Sequence, residues 1–185
     1  MSFYCPTERL ILRDFRSTDT NDLHAYLSLP EIYRFEPGQP VTQEQAEALC
    51  QERAAGGPFY AVELKTTGQM IGHLYFAQQN PPEWLTWELG YIFNPRFQNQ
   101  GYCSEAVRAL LRHAFNSLDM HKIVAYCNPL NLASWHVLEN AGLLREGRLK
   151  QNVFFRRNPD GTPAWQDSYA YGLTSADYFA QAANG

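Results

Sequence analysis

No stretch of this 185-residue chain approaches the run of ~20 apolar residues that a membrane-spanning helix needs. Met1 to Leu10 also lacks the charged start and apolar run of a secretion signal, so a cytoplasmic protein without a membrane partner is expected. Basic charge is scarce: 15 Lys and Arg stand against 19 Asp and Glu, for a formal charge of −4 and a pI near 5.7. Phosphate backbones are held mainly by Lys and Arg, so nucleic acid is not an expected partner. A basic or amine-bearing substrate suits the charge better. The four cysteines, Cys5, Cys50, Cys103 and Cys127, form no close pair and have no metal-ligand spacing, and they read as reduced thiols. His24, His73, His113, His121 and His136 are equally dispersed, so no metal is expected.

The chain has enough apolar residues for a full core, with 45% hydrophobic and 18% charged residues and no repeat or low-complexity segment. Its length suits one domain over residues 1–185. Arg9 to Phe15 alternates like a strand, and Asp19 to Leu29 has helical apolar spacing. A loop rich in proline and aromatics, Glu31 to Pro40, leads to a second helix, Thr42 to Ala55, which opens on a capping box formed by Thr42 and Gln45. Three strands follow, Phe59 to Leu64, Met70 to Phe76 and Leu85 to Phe93, the first two joined by a turn at Thr67-Gly68. Ser104 to Leu118 presents an apolar helical face. Lys122 to Cys127 reads as a strand, and Asn131 to Ala141 as a helix capped by Asn131 and stopped by Gly142. A hairpin of Leu143 to Phe155 with Tyr169 to Leu173, turning at Asn158 to Gly161, completes the sheet. On pattern alone this is a single α/β or α+β domain.

The segment Gln98-Asn99-Gln100-Gly101-Tyr102-Cys103-Ser104-Glu105 joins a strand to a helix and has the residues of a phosphate-binding turn. Gly101 allows a conformation that brings amides toward an anion, Ser104 can cap the first helical turn, and a helix start favours negative charge. The same residues also suffice for a plain strand-to-helix connection.

This segment follows Glu88-Leu89-Gly90-Tyr91-Ile92-Phe93-Asn94-Pro95. After a further helix and strand comes Asn128-Pro129-Leu130-Asn131-Leu132-Ala133-Ser134-Trp135. In this order they resemble the two coenzyme-binding motifs of the GNAT N-acetyltransferases, in particular the RimJ/RimL branch, over roughly Leu10 to Leu173. The resemblance implies the GNAT fold: a central mixed, mostly antiparallel sheet with helices on both faces, in which two parallel strands splay apart for the pantetheine arm. Here those strands are Leu85 to Phe93 and Lys122 to Cys127. It also implies acetyl-coenzyme A as cosubstrate and direct transfer to a primary amine in a ternary complex; either a monomer or a homodimer is expected.

Residue by residue, the pyrophosphate is expected on amides of Gln98, Asn99, Gln100, Gly101, Tyr102 and Cys103, with the helix beginning at Ser104 supplying its positive end. The oxyanion is expected at the main chain of Tyr91, Ile92 and Phe93. Glu88 matches a proposed general base and Ser134 a proposed general acid for the thiolate, with Asn131 on the coenzyme arm. A strand carboxylate can also simply face solvent, and an asparagine and a serine in a first helical turn can do no more than cap it. Arg96 is a candidate phosphate contact. Cys103 stands where the family signature has a small residue; a thiol is little larger than alanine, and no adjacent histidine activates it.

Tyr33, Phe35, Trp84, Trp87, Phe154, Phe155, Trp165 and Tyr169 fall where the family borders its acceptor groove; Tyr33, Phe35, Trp87 and Glu88 are the expected substrate-binding residues. An α-amine has a pKa about 2.5 units below lysine, which favours a protein or peptide N-terminus as acceptor. A small amine (antibiotic, polyamine or amino acid) is the alternative, and a coenzyme-binding module without catalysis is a third.

Overall fold

The computed structural model describes residues 3–183. Eight strands form one sheet in the order β1-β2-β3-β4-β5-β6-β8-β7. They are β1 (Tyr4–Pro6), β2 (Leu10–Asp14), β3 (Phe59–Leu64), β4 (Met70–Gln78), β5 (Thr86–Phe93), β6 (Lys122–Cys127), β7 (Leu144–Val153) and β8 (Gln166–Thr174). The helices are α1 (Thr20–Leu27), α2 (Gln43–Ala54), α3 (Tyr102–Ser117), α4 (Leu132–Asn140) and α5 (Ser175–Ala183). None of the described helices is long and apolar enough to cross a membrane.

Period-two alternation along the strands supplies both faces of the sheet. Val62, Leu64 and Leu74 join Ala106, Val107, Leu110 and Leu111 of α3 and Leu138 of α4 in the larger core. Ala61 and Met70 turn the other way, onto Leu23, Tyr26 and Leu27 of α1 and Cys50 of α2. Helices therefore cover both faces, as expected.

The site depends on the middle of the sheet. Neighbouring strands pair antiparallel except β5 and β6, which are parallel and register only at Thr86 with Lys122, Trp87 with Ile123, and Glu88 with Val124. Beyond Glu88, β5 pairs only with β4, and beyond Val124, β6 pairs only with β8. The strands thus part in the middle of the sheet and leave a gap between Leu89–Phe93 and Ala125–Cys127.

Several boundaries differ from the sequence reading. α3 starts at Tyr102: Gly101, at φ +80°, is the N-cap and its carbonyl accepts from Glu105 N at 3.0 Å, so Ser104 lies inside the first turn and caps nothing. Leu85 is left-handed at φ +48° and ends a short turn, so β5 begins at Thr86. A 3-10 turn occupies Ser17–Asp19 ahead of α1, because Asp19 is held by the Arg13 guanidinium at 2.7 and 2.8 Å. Another 3-10 turn, Pro30–Arg34, lies in the segment expected to be loop. β1 and α5 were not expected. β1 exists through its pairing with β2, and α5 through Tyr178, which stacks on Phe115 at 4.6 Å.

Candidate active site

The turn from Gln98 to Ser104 is held in place from outside itself. Arg9 donates from Nε to Glu105 Oε2 at 2.6 Å and from Nη1 to the Gln100 carbonyl at 3.0 Å, and its guanidinium lies 4.4 Å from the centre of the Tyr102 ring. Gln98 Nε2 donates to the Phe93 carbonyl at 3.1 Å, tying the turn to the end of β5. With Asn99 at φ +58° and Gly101 at φ +80°, the chain curls so that its amides converge. Among the described residues, no backbone N–H from Asn99 to Ser104 donates a hydrogen bond. Buried or clustered N–H groups are normally paired, so this row of donors at a helix start fits a multiply charged anion such as a pyrophosphate.

The turn forms one wall of a cavity of about 610 Å³, lined also by Tyr91, Ile92 and Phe93 of β5 and by Asn131, Ser134 and Val137 at α4. Gln98, Asn99, Gly101, Tyr102, Cys103 and Ser104 all face it. Arg96 and Gln100 do not. Both are exposed, and Gln100 Nε2 instead donates to the Arg96 carbonyl at 3.0 Å. Burial pushes the Cys103 thiol well above its ordinary range, which keeps it protonated and a poor nucleophile.

A second cavity, about 870 Å³, opens on the other side of the strand gap. Tyr33, Phe35, Phe155 and Glu88 lie on its walls. Trp87 does not: one step from Glu88 along the strand, it points to the opposite face and stacks on Phe76 at 6.3 Å. Trp84 is 65% exposed, and Phe154 packs edge-on against Trp165. Burial pushes the Glu88 carboxyl up from the ordinary carboxylate range, with Gln79 offsetting part of the shift. A carboxylate so placed holds its proton more readily than one in water.

The two cavities share a wall formed by Phe35, Glu36, Tyr91, Ile92, Asn131 and Ser134. Asn131 Oδ1 accepts from Ser134 N at 3.3 Å, so the expected cap is present. The Tyr91 hydroxyl lies 2.8 Å from the Ser134 carbonyl and 3.1 Å from Ser134 Oγ. Burial pushes this phenol well above its ordinary range, so it stays protonated. The sequence reading used only the main chain of Tyr91; its alternation with Gly90 and Ile92 gave the side chain's face but not its reach to α4. Glu36 was missed altogether, although it sits in the aromatic loop between Phe35 and Pro37.

Two pockets meeting where parallel strands part, one walled by unpaired amides and the other by a carboxylate, define a group-transfer enzyme with separate seats for an anionic donor and its acceptor. The acetyltransferase (GNAT) domain model matches residues 9–144, and the chain belongs to that family. It is an acetyl-coenzyme A dependent N-acetyltransferase. It is 31% identical to the uncharacterized N-acetyltransferase YnaD of Bacillus subtilis, covering 93% of this chain and 97% of YnaD. The crystal structure of a GNAT-family acetyltransferase from Bacillus anthracis superposes with a TM-score of 0.85 at 30% identity, over 94% of this chain and 99% of that one. More distantly, the [ribosomal protein uS5]-alanine N-acetyltransferase of Escherichia coli is 25% identical, over 93% of this chain and 91% of its own.

Proposed function

We propose that this enzyme acetylates the N-terminal α-amine of a protein or peptide, in the manner of the RimJ/RimL branch, by direct attack on acetyl-coenzyme A in a ternary complex. The observation that carries the reading is the wall common to the two cavities, which lets donor and acceptor meet without a covalent enzyme intermediate. Support for a peptide end comes from the likeness to the uS5-alanine enzyme and from the partly apolar, open acceptor cavity. The lower intrinsic pKa of an α-amine adds to it.

In this reading the amides of Asn99 to Ser104 and the start of α3 hold the pyrophosphate. Main-chain N–H groups of β5 near Tyr91 to Phe93, where β6 no longer pairs, offer donors to the oxyanion. Glu88 takes a proton from the entering ammonium, directly or through water, and Ser134 donates to the departing thiolate. A polyamine is the second reading, favoured by Glu36, Glu88 and Asp167 all lining the acceptor cavity. Incubation with labelled acetyl-coenzyme A, peptides beginning with Ala or Ser, and spermidine, followed by mass spectrometry, tests the proposal. Label on a peptide α-amine is expected; label on spermidine alone would replace the first reading with the second.

A further inference from the structure

We propose that Glu36 is a catalytic carboxylate of this site, the group that takes the proton from the attacking nitrogen as the N–C bond forms. The proposal rests on the two-cavity reading above and assigns a step that reading leaves open. Among the carboxylates on the cavity walls, Glu88 and Asp167 stand only on the acceptor side and Glu31 only on the coenzyme side. Glu36 alone stands on both, beside Tyr91 and Ser134. It makes no hydrogen bond or ion pair among the described residues, so its oxygens are available to a ligand.

Its position is not that of a loose loop. The Leu27 carbonyl accepts from Tyr33 Oη at 2.8 Å and from Val41 N at 3.1 Å, which clamps the segment at both ends to the end of α1. Arg156 Nη2 donates to the Tyr33 carbonyl at 2.5 Å and braces it from the β7–β8 connection.

Transfer forms an N–C bond and breaks a C–S bond. The nitrogen enters as an ammonium and leaves as an amide, so it sheds two protons, one of which ends on the coenzyme thiol and the other in solvent. Glu88, on the acceptor side, is placed for the first, before attack. Glu36, at the wall where the nitrogen and the thioester meet, is placed for the second and returns it to Ser134, whose own proton goes to the sulfur, while the proton on Glu88 passes to solvent. The ionisable groups that share its two cavities include Glu31 and Arg34 of its own segment, Arg53 of α2, His73 of β4, Glu88 and Tyr91 of β5, Cys127 of β6, Asp167 of β8, Cys103 of α3 and His136 of α4. No cation among them outweighs the loss of water, and burial pushes the Glu36 carboxyl up to about 7. A base titrating there is matched to neutral pH. Below about 7 it is protonated and cannot accept; above, it can.

The test compares wild type, Glu36→Gln and Glu36→Asp by following thiol release against pH with an alanine-starting pentapeptide, spermidine and propylamine. Glu36→Gln should lower kcat/KM by ~10²–10⁴ and remove the limb near neutrality, with acetyl-coenzyme A binding by calorimetry and melting temperature retained. Glu36→Asp should restore part of the rate. A wild-type rate with the neutral limb intact in Glu36→Gln overturns the assignment. A carboxyl ¹³C titration of glutamate-labelled protein needs no acceptor: a resonance with its midpoint near 7, missing from Glu36→Gln, supports the proposal, and its absence from wild type overturns it. If no amine reacts while coenzyme still binds, the acceptor reading fails and the titration still decides Glu36.

Discussion

Tyr91→Phe tests whether the two hydroxyls at the shared wall work as a unit. Tyr91 Oη has one proton and two acceptors in reach, the Ser134 carbonyl at 2.8 Å and Ser134 Oγ at 3.1 Å. If the proton goes to the carbonyl, the serine proton turns back to the phenol. If it goes to Oγ, the serine proton is free for the thiolate. The second arrangement turns the serine proton outward, which in the proposed mechanism makes Tyr91 a positioning residue for Ser134. In the resting enzyme the lost bond is neutral and should cost about 1 kcal/mol, lowering the melting temperature by roughly 2–4 °C in a domain of this size. As Ser134 gives up its proton, its oxygen gains charge, and a bond to a charged group contributes about 1.5–3 kcal/mol. The kcat should therefore fall roughly 10- to 150-fold, with KM for acetyl-coenzyme A little changed. Steady-state kinetics of thiol release gives both constants, and combining the change with Ser134→Ala closes the cycle. The double variant should be no slower than the slower single variant. Wild-type kcat in Tyr91→Phe, or additive losses in the double variant, would refute the coupling and leave the contact as packing between β5 and α4.

The remaining predictions concern the two substrate seats. Gly101→Val forces a side chain to φ +80° and brings a Cβ to 3.3 Å from Arg9 Nη2; at ~1–2 kcal/mol of backbone strain in the turn, acetyl-coenzyme A affinity by calorimetry should fall roughly 5- to 30-fold while the fold persists. Cys103→Ala should keep most activity, since burial holds the thiol protonated, and bound coenzyme should slow maleimide labelling of the wild-type thiol; an acetylated Cys103 trapped on the enzyme would overturn this. Glu88→Gln should lower kcat/KM by ~10²–10⁴ without weakening coenzyme binding. Because burial raises the Glu88 carboxyl, its acidic limb lies above the ordinary carboxylate range, with activity lost as pH falls through it, and the variant should lack that limb.

How much of this was legible from the sequence depends on how far each feature's causes lie along the chain. The capping box at Thr42 and the cap at Asn131 involve partners three residues away, and both form as expected. Gly101 was identified as the pivot of the turn, yet the helix start was set at Ser104 and not at Tyr102. A serine before an apolar run looks like a cap, but the turn is positioned by Arg9, whose bonds to Gln100 and Glu105 span more than ninety residues. Trp87 was assigned to the acceptor groove although the alternation that faces Glu88 into the cavity turns Trp87 away. There the period-two rule was the better guide.

Glu36 marks the limit of sequence reading. Its neighbours in sequence, Phe35, Pro37 and Gly38, describe only a turn-rich loop. What makes it chemically distinctive is loss of water without gain of a cation. That follows from Leu27, Val41 and Arg156 clamping the segment over the gap where β5 leaves β6. The same gap explains why the motif residues and the unexpected ones meet. Parting two parallel strands leaves main-chain donors of β5 unpaired, and the elements that cover the opening must come from distant parts of the chain. Glu36 on one side and Ser134 on the other are those covering residues, and Tyr91 of β5 reaches Ser134 from the strand itself. In the proposed mechanism, the proton acceptor and the proton donor around one carbonyl therefore come from the cover of the gap as much as from the strands that form it.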